Sequence, residues 1–270
     1  MAKNINVENS NNNSGFTLVE TVLVIVVLII IGVVGYGVFS RSKKSNTSHS
    51  PPPTSSHSEQ QTSKPVEDKL EIQNFGLASM DSVDVTTNAL REYQSKGLKG
   101  FYFFGDKLSG GRTNPNFEFA SLKAGTQIIS AIDGVVGNIK EQNEGGKDYE
   151  VFIMPSENSA WVIAYDHLTG LKVKKGDKVK VGDVLGQPAM QNNGLLHFEF
   201  QINKEGQDST HYCPSTLLAS SVRDKQLADL KAMMNSWESK TGIELYDIDS
   251  QDPVGCLKKT LTPAEAEGQQ

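Results

Sequence analysis

Apolar and polar positions divide this 270-residue chain into stretches of different character. From Val22 to Val38 the run is apolar without a break, dominated by Val and Ile. A helix from Thr21 to Phe39 would rise about 28 Å, enough to cross the hydrocarbon core of a bilayer. Gly32, Gly35 and Gly37 permit close helix approach within it. The run is too long for a secretory signal peptide, and no small-x-small cut site follows it. Between Ser40 and Pro65 the chain turns to Ser, Thr, Asn, His and Gln around Pro51-Pro52-Pro53, a composition that buries no core and predicts an extended tether. His49 and His57 fall there and read as solvated residues.

From Val66 the pattern becomes that of a globular head. Leu70–Ile72 and Val83–Val85 alternate like short strands, Ala89–Gln94 suggests a helical turn or two, and Gly100–Gly105 encloses an aromatic strand. Short strands then follow closely: Gln127–Ala131, Val135–Lys140, Tyr149–Met154, Trp161–Tyr165 and Leu196–Ile202, separated by Gly, Asp and Asn. Such spacing indicates a sandwich or barrel. Ser221–Lys240 reads as an amphipathic helix, with Ser221 and Asp224 resembling a capping box and Leu227, Leu230, Met234 and Trp237 on one face.

Charge changes the picture little. A net charge of −6 with 21% charged residues leaves no basic footprint for nucleic acid. Arg41, Lys43 and Lys44 follow the apolar run while only Lys3 precedes it, so charge bias alone would put the head in the cytoplasm. Cys213 and Cys256 are the two cysteines; outside the cell they can pair and pin the tail, and as lone thiols they can equally be buried. Asp247, Asp249 and Asp252 cluster, but without the Gly and terminal Glu of an EF-hand, so calcium is not expected.

The boundary of the apolar run carries the first chemistry. Gly15-Phe16-Thr17-Leu18-Val19-Glu20 places one carboxylate at the threshold of the membrane segment. Such a group costs roughly 2.5–3.5 kcal/mol on insertion scales and needs a partner. A cut between Gly15 and Phe16 supplies one, because the new Phe16 amine on one subunit can neutralise Glu20 on the next. Here the chain resembles type IV pilins and pseudopilins. The resemblance implies a prepilin-peptidase cut after Gly15, N-methylation of Phe16, an assembly role for Glu20, and other pilin subunits as partners. It places the anchor in the cytoplasmic membrane with the head outside, or in a surface pilus. It gives a leader at 1–15, a transmembrane helix at 16–40 and a Ser/Thr/Pro linker at 41–65. The long tether departs from ordinary pilins and favours a minor or pilus-associated subunit.

Two turns carry the second resemblance. Lys175-Gly176-Asp177 leads to Val179, and Val181-Gly182-Asp183 leads to Val184, so that Gly takes the positive-φ position and Asp caps the turn. Biotinyl and lipoyl carriers share this pattern with lysostaphin-like (LytM-type) zinc endopeptidases of peptidoglycan. No Met-Lys-Met or Asp-Lys-Ala marks a carrier hairpin. The chain resembles the endopeptidases through Tyr165-Asp166-His167-Leu168, Gly194-Leu195-Leu196-His197-Phe198-Glu199 and Pro214-Ser215-Thr216-Leu217. The resemblance implies a LytM-like β-sandwich with a duplicated hybrid motif at 114–219, preceded by an N-terminal part of the head at 66–113 and followed by a C-terminal helix and tail at 220–270. It implies His197 and Glu118 as metal ligands and His167 as a catalytic imidazole. Two family imidazoles are replaced, one by Asn114 and one by Leu195. Zinc is therefore expected to bind weakly, and no resident cofactor is expected. The leading expectation is a minor pilin with a non-catalytic head for adhesion, assembly or cell-wall contact, its groove binding through strand edges near Tyr165, Phe198 and Phe101–Phe104. Against it stand a surface-tethered zinc endopeptidase acting on peptidoglycan, and an anchored wall-binding module outside any filament.

Overall fold

The structure is a computed structural model that describes residues 69–85, 99–142, 147–206 and 209–268. Gly15, Phe16, Glu20, the apolar run, the tether with its two histidines and the Ala89–Gln94 segment lie outside the described residues. Among the described residues no helix is long and apolar enough to cross a membrane.

The head is mainly β with few helices. Among the described residues eleven strands follow one another: β1 (Phe101–Tyr102), β2 (Asn116–Leu122), β3 (Ile128–Ile129), β4 (Gly134–Gln142), β5 (Asp148–Met154), β6 (Trp161–Thr169), β7 (Lys178–Val179), β8 (Val184–Met190), β9 (Leu196–Lys204), β10 (Thr210–Tyr212) and β11 (Thr260–Leu261). The predicted strands from Gly100 onward are present, most of them a few residues longer or shorter than their apolar alternation suggested. Leu70–Ile72 and Val83–Val85 form no strand and contribute isolated bridges, Ile72 to Leu218 and Val83 to Leu122. The aromatic strand shrinks to β1, because Phe104 leaves the sheet to bridge Cys256.

The mainly β, LytM-like architecture is present, with its layers joined. All strands connect in one sheet whose main path runs β1-β2-β9-β8-β6-β5-β4-β7. β9 is the reason. Its first residues pair with β8, its later ones with β6 and β10, and its opposite edge with β2. A strand of nine residues thus joins what would otherwise be two layers.

Local chemistry explains the two Gly-Asp turns. Gly176 (φ 89°) and Gly182 (φ 88°) adopt the positive φ that L side chains avoid. The Asp177 carboxylate accepts the Lys174 N–H at 3.0 Å and that of Asp183 accepts the Lys180 N–H at 2.8 Å.

Phe75, Phe117, Phe119, Tyr165, Phe198 and Phe200 are fully buried at the centre. Phe101, Phe103 and Phe104 join them, so Tyr165, Phe198 and these three rings build the core and do not line a groove. Alternation along β1 dictates this: Phe101 and Phe103 turn inward, and Tyr102 between them turns out. Helix α1 (Arg223–Thr241) braces the sheet through Leu230, Met233, Met234 and Trp237. The Trp237 indole lies so close to Gly100 that a Cβ there would meet it at 2.2 Å. The proposed Ser221–Asp224 capping box is absent. The helix starts one residue later than Val222, which caps it without a side-chain bond, and the Arg223 guanidinium reaches back to the Leu218 carbonyl at 2.7 Å. A capping box does form at the short tail helix α2 (Pro263–Glu267), between Thr262 and Glu265.

Cys213 and Cys256 are joined as a disulfide. Around it, the Cys213 N–H donates to the Lys259 carbonyl at 2.9 Å and β11 pairs with β10. The tail is thereby tied to the sheet.

Candidate active site

Register places the polar side chains of the site in one row. Tyr102 pairs with Glu118, Glu118 with Glu199, and Glu199 with Asp166. Cross-strand partners share a face, so these four stand side by side on the side opposite the core rings. His197 lies two residues before Glu199 and shares its face. β6 would send Asp166 and His167 to opposite faces, but a bulge intervenes. β5 advances from Tyr149 to Val151 while β6 runs from Leu168 back to Tyr165, one residue more. At that extra residue His167 takes φ 60°, the one positive-φ non-glycine among the described residues. Bulges of this kind re-aim side chains beside functional sites.

The result is a compact cluster. His167 Nε2 lies 3.6 Å and His197 Nε2 3.2 Å from Glu199 Oε1. Glu118 Oε1 lies 3.6 Å from His197 Nε2. The two imidazole rings meet edge to face with centroids 4.8 Å apart. Behind His167, Asp148 Oδ2 accepts from Nδ1 at 2.6 Å, fixing the ring so that Nε2 faces the cluster. The Asp148 side chain is 4% exposed. Asn116 donates its amide to Glu199 Oε2.

Buried like charges pull the carboxyls apart in acidity. Burial and the Glu199 charge push Glu118 up to about 7, against the pull of the two imidazoles. Burial also acts to raise Glu199, but hydrogen bonds from His167 and His197 overcome it and hold this carboxyl down at about 2. Burial opposes the charge on His167, yet Glu199 and Asp148 raise it to about 10. On the far side of Asp166, Glu150 is raised to about 7 by burial and by the Asp166 charge.

Such a set suits a divalent ion. His167, His197 and Glu199 each offer a ligand atom, all within 4.8 Å of one another. In a tetrahedron of N and O ligands about 2.0–2.1 Å from zinc, ligand atoms stand about 3.3 Å apart. The contacts of 3.2 and 3.6 Å to Glu199 match that edge. Two imidazoles with one carboxylate is a donor set that catalytic zinc sites use. The Asp148–His167 pair supplies the outer carboxylate that orients a ligating imidazole.

Of the residues named from sequence, His167, His197 and Glu118 come together. Glu199 joins them although its strand pattern was read only as fold. A signal was present: His197-Phe198-Glu199 alternates, so a ligand at His197 puts Glu199 on the same face. Asn114 has become structural. It donates to the Phe103 carbonyl at 3.3 Å and accepts the Asn116 N–H at 3.1 Å, 1% exposed. Leu195 packs its side chain against the core.

Two cavities border the cluster. On one side a cavity of about 880 Å³ is bounded by Asn116, Glu118 and Glu199, by Lys99 and Asp106, and by Pro263 and Ala266 of α2. On the other a cavity of about 330 Å³ lies between Tyr102, Glu118, His197 and the loop Gln191–Asn193.

A model of peptidase family M23 matches residues 118–209, so this part of the head is an M23-type, LytM-like domain. The chain is similar to an uncharacterized metalloprotease of Buchnera aphidicola subsp. Baizongia pistaciae (strain Bp), 31% identical over 118 residues, which takes in 38% of this chain and 30% of the relative. The chain thus spans less than a third of that relative's length. Among solved structures it is similar to the catalytic domain, carrying a single substitution, of the prophage-encoded M23 protein EnpA from Enterococcus faecalis, with 25% identity, 42% of this chain, 88% of that one and a TM-score of 0.33. It is also similar to the catalytic domain of the antimicrobial peptidase lysostaphin from Staphylococcus simulans, with 21% identity, 45% of this chain, 89% of that one and a TM-score of 0.34.

Proposed function

We propose that the head is a zinc-dependent endopeptidase that acts on peptidoglycan peptides, held at the membrane by the N-terminal apolar run. One observation carries this reading: His167, His197 and Glu199 converge at metal-ligand spacing in an M23-type domain, with Glu199 and His197 each lining one of two adjoining cavities. His167, His197 and Glu199 would hold the ion. When bound, it supplies Lewis acidity toward a peptide carbonyl and makes water a nucleophile near neutral pH. Glu118 stands beside His197 and lines both cavities. From there its carboxylate takes the proton of the attacking water and returns it to the leaving nitrogen. Asp148 keeps His167 in the tautomer whose Nε2 faces the cluster, and Asn116 steadies Glu199.

The test uses the full chain. Zinc content near one per chain, together with new amino termini released from purified peptidoglycan, is the expected result. Failure to hold zinc would sink the metal reading. Zinc without cleavage would leave an anchored wall-binding head.

A second proposal rests on Gly15-Phe16 and Glu20: the chain is processed by prepilin peptidase and its anchor enters a type IV pilus or pseudopilus. Sequencing of the mature amino terminus tests it, with methylated Phe16 as first residue the expected outcome.

A further inference from the structure

The bulge on β6 leaves one residue outside the ladder. Up to Asp166, β6 pairs with β9; from Leu168 onward it pairs with β8. His167 stands between the two registers at φ 60° and, among the described residues, pairs with none of β5, β8 or β9. A backbone N–H left out of a ladder needs another acceptor. A left-handed φ on an L residue persists only where its surroundings hold it. Side chains beside the ladder must therefore fix this residue.

The acceptor is the preceding side chain. Asp166 Oδ1 takes the His167 N–H at 2.7 Å and a second hydrogen bond from Gln142 Nε2 at 2.6 Å. Gln142 closes β4, where it pairs with Asp148, and its amide also reaches Glu150 Oε2 at 3.4 Å. One cross-strand pair thus grips two consecutive residues of β6: Gln142 holds Asp166, and Asp148 holds the His167 ring at Nδ1. The two grips fix different things. Asp148 orients the imidazole, whereas Asp166 fastens the backbone that carries it. Regular alternation after Asp166, which pairs with Glu199, would turn His167 to the opposite face.

We propose that Asp166 and Gln142 are positioning residues: the Asp166 side chain fastens the His167 N–H, Gln142 fastens Asp166, and together they hold the bulge that delivers the imidazole to the cluster. This rests on the reading of His167 as a metal ligand. Asp166 stands in the same row as Glu199 yet supplies no atom to the set formed by His167, His197 and Glu199. Its part is to accept a hydrogen bond, so an uncharged carbonyl oxygen in the same place would serve. That requirement separates the role from a general effect of negative charge beside the metal.

The experiment compares the full-length wild type with Asp166→Asn, which keeps an acceptor oxygen, Asp166→Ala, which removes it, and Gln142→Ala. Zinc affinity is read by competition with a chelator, and hydrogen exchange of the His167 amide is read on the metal-free chain. Asp166→Ala is expected to weaken zinc binding roughly 10–100-fold. It should also speed exchange at His167 about tenfold or more relative to the amides of residues 162–165. Gln142→Ala shifts both in the same direction by less, and Asp166→Asn stays close to wild type. Wild-type zinc affinity in Asp166→Ala overturns the proposal, as does an Asp166→Asn chain that binds as weakly as Asp166→Ala. Exchange that rises equally along β6 marks general loosening of the strand and overturns it too. If the wild type holds no zinc, the metal reading falls and exchange decides alone. Faster exchange at His167 in Asp166→Ala than in Asp166→Asn then upholds the latch, and equal rates overturn it.

Discussion

The two walls of the groove have gone different ways. On the β5–β6 wall, the bulge at His167 and the buried Asp148 behind it keep an imidazole aimed at the cluster. On the β2 wall and in the turn before β9, the positions where the LytM-type pattern carries imidazoles hold Asn114 and Leu195, and both side chains serve packing and backbone bonding. The cluster accordingly centres on His167, His197 and Glu199, nearer the wall that kept its charge. What the contrast teaches is that a polar site can shift along a sheet without the sheet changing. Cross-strand register keeps a row of outward positions together whichever of them supplies the ligands.

Substitutions on each wall sharpen the contrast. His197→Ala should have the largest effect, abolishing zinc retention on dialysis and with it cleavage. Asp148→Ala leaves every ligand atom in place and should weaken zinc affinity by roughly 10–100-fold, the usual worth of an outer partner, as read by competition with a chelator. Asn114→Ala belongs to the other wall. It should leave zinc affinity unchanged while lowering stability by about 2 kcal/mol through lost buried hydrogen bonds, measured by urea unfolding. A zinc defect in Asn114→Ala as large as that of Asp148→Ala would erase the distinction between the walls.

Acidity gives a finer test on the metal-stripped chain. Glu118 rises from 4.5 to about 7 on folding, so its contribution favours the fold below pH 4.5 and is lost as pH climbs through 7. His167 rises from 6.5 to about 10, so its contribution is complete below pH 6.5 and is lost as pH climbs through 10. Glu199 falls to about 2, and its contribution is present above pH 4.5 and lost below it. Stability of the stripped chain should therefore peak near pH 4.5 and decline from there toward pH 10. Glu118→Gln should remove about 3 kcal/mol of that decline between pH 4.5 and 7. An unchanged slope would place Glu118 outside the cluster's electrostatics.

How much of this was legible depended on the range of the interactions. The Gly176-Asp177 and Gly182-Asp183 turns were readable because Gly and Asp act within three residues of themselves. His167 and His197 were readable as spaced imidazoles. Glu199 was passed over because strand alternation was applied to find the core and not to ask which polar residues share a face with His197. The same neglect put Tyr165 and Phe198 beside a groove, when alternation sends them inward and leaves Tyr102 as the aromatic residue of β1 that borders it. The bulge was not legible. One extra residue on β6 has no local signature, and it alone lets Asp166 and His167 serve the same side. Nor did composition distinguish two stacked sheets from one, since that depends on the partners that β9 finds along its length.

The outer wall of the larger cavity comes from the tail, which is held by a two-residue strand on β10, by backbone bonds between Phe104 and the Gly255–Leu257 segment, and by one sulfur–sulfur link across 43 residues. Closing a loop of that length is worth about 4 kcal/mol in the chain-entropy account. Oxidation thus finishes the shape of the cleft. A compartment that keeps thiols apart would hold a head with its sheet complete and one bank of the channel without its covalent tie.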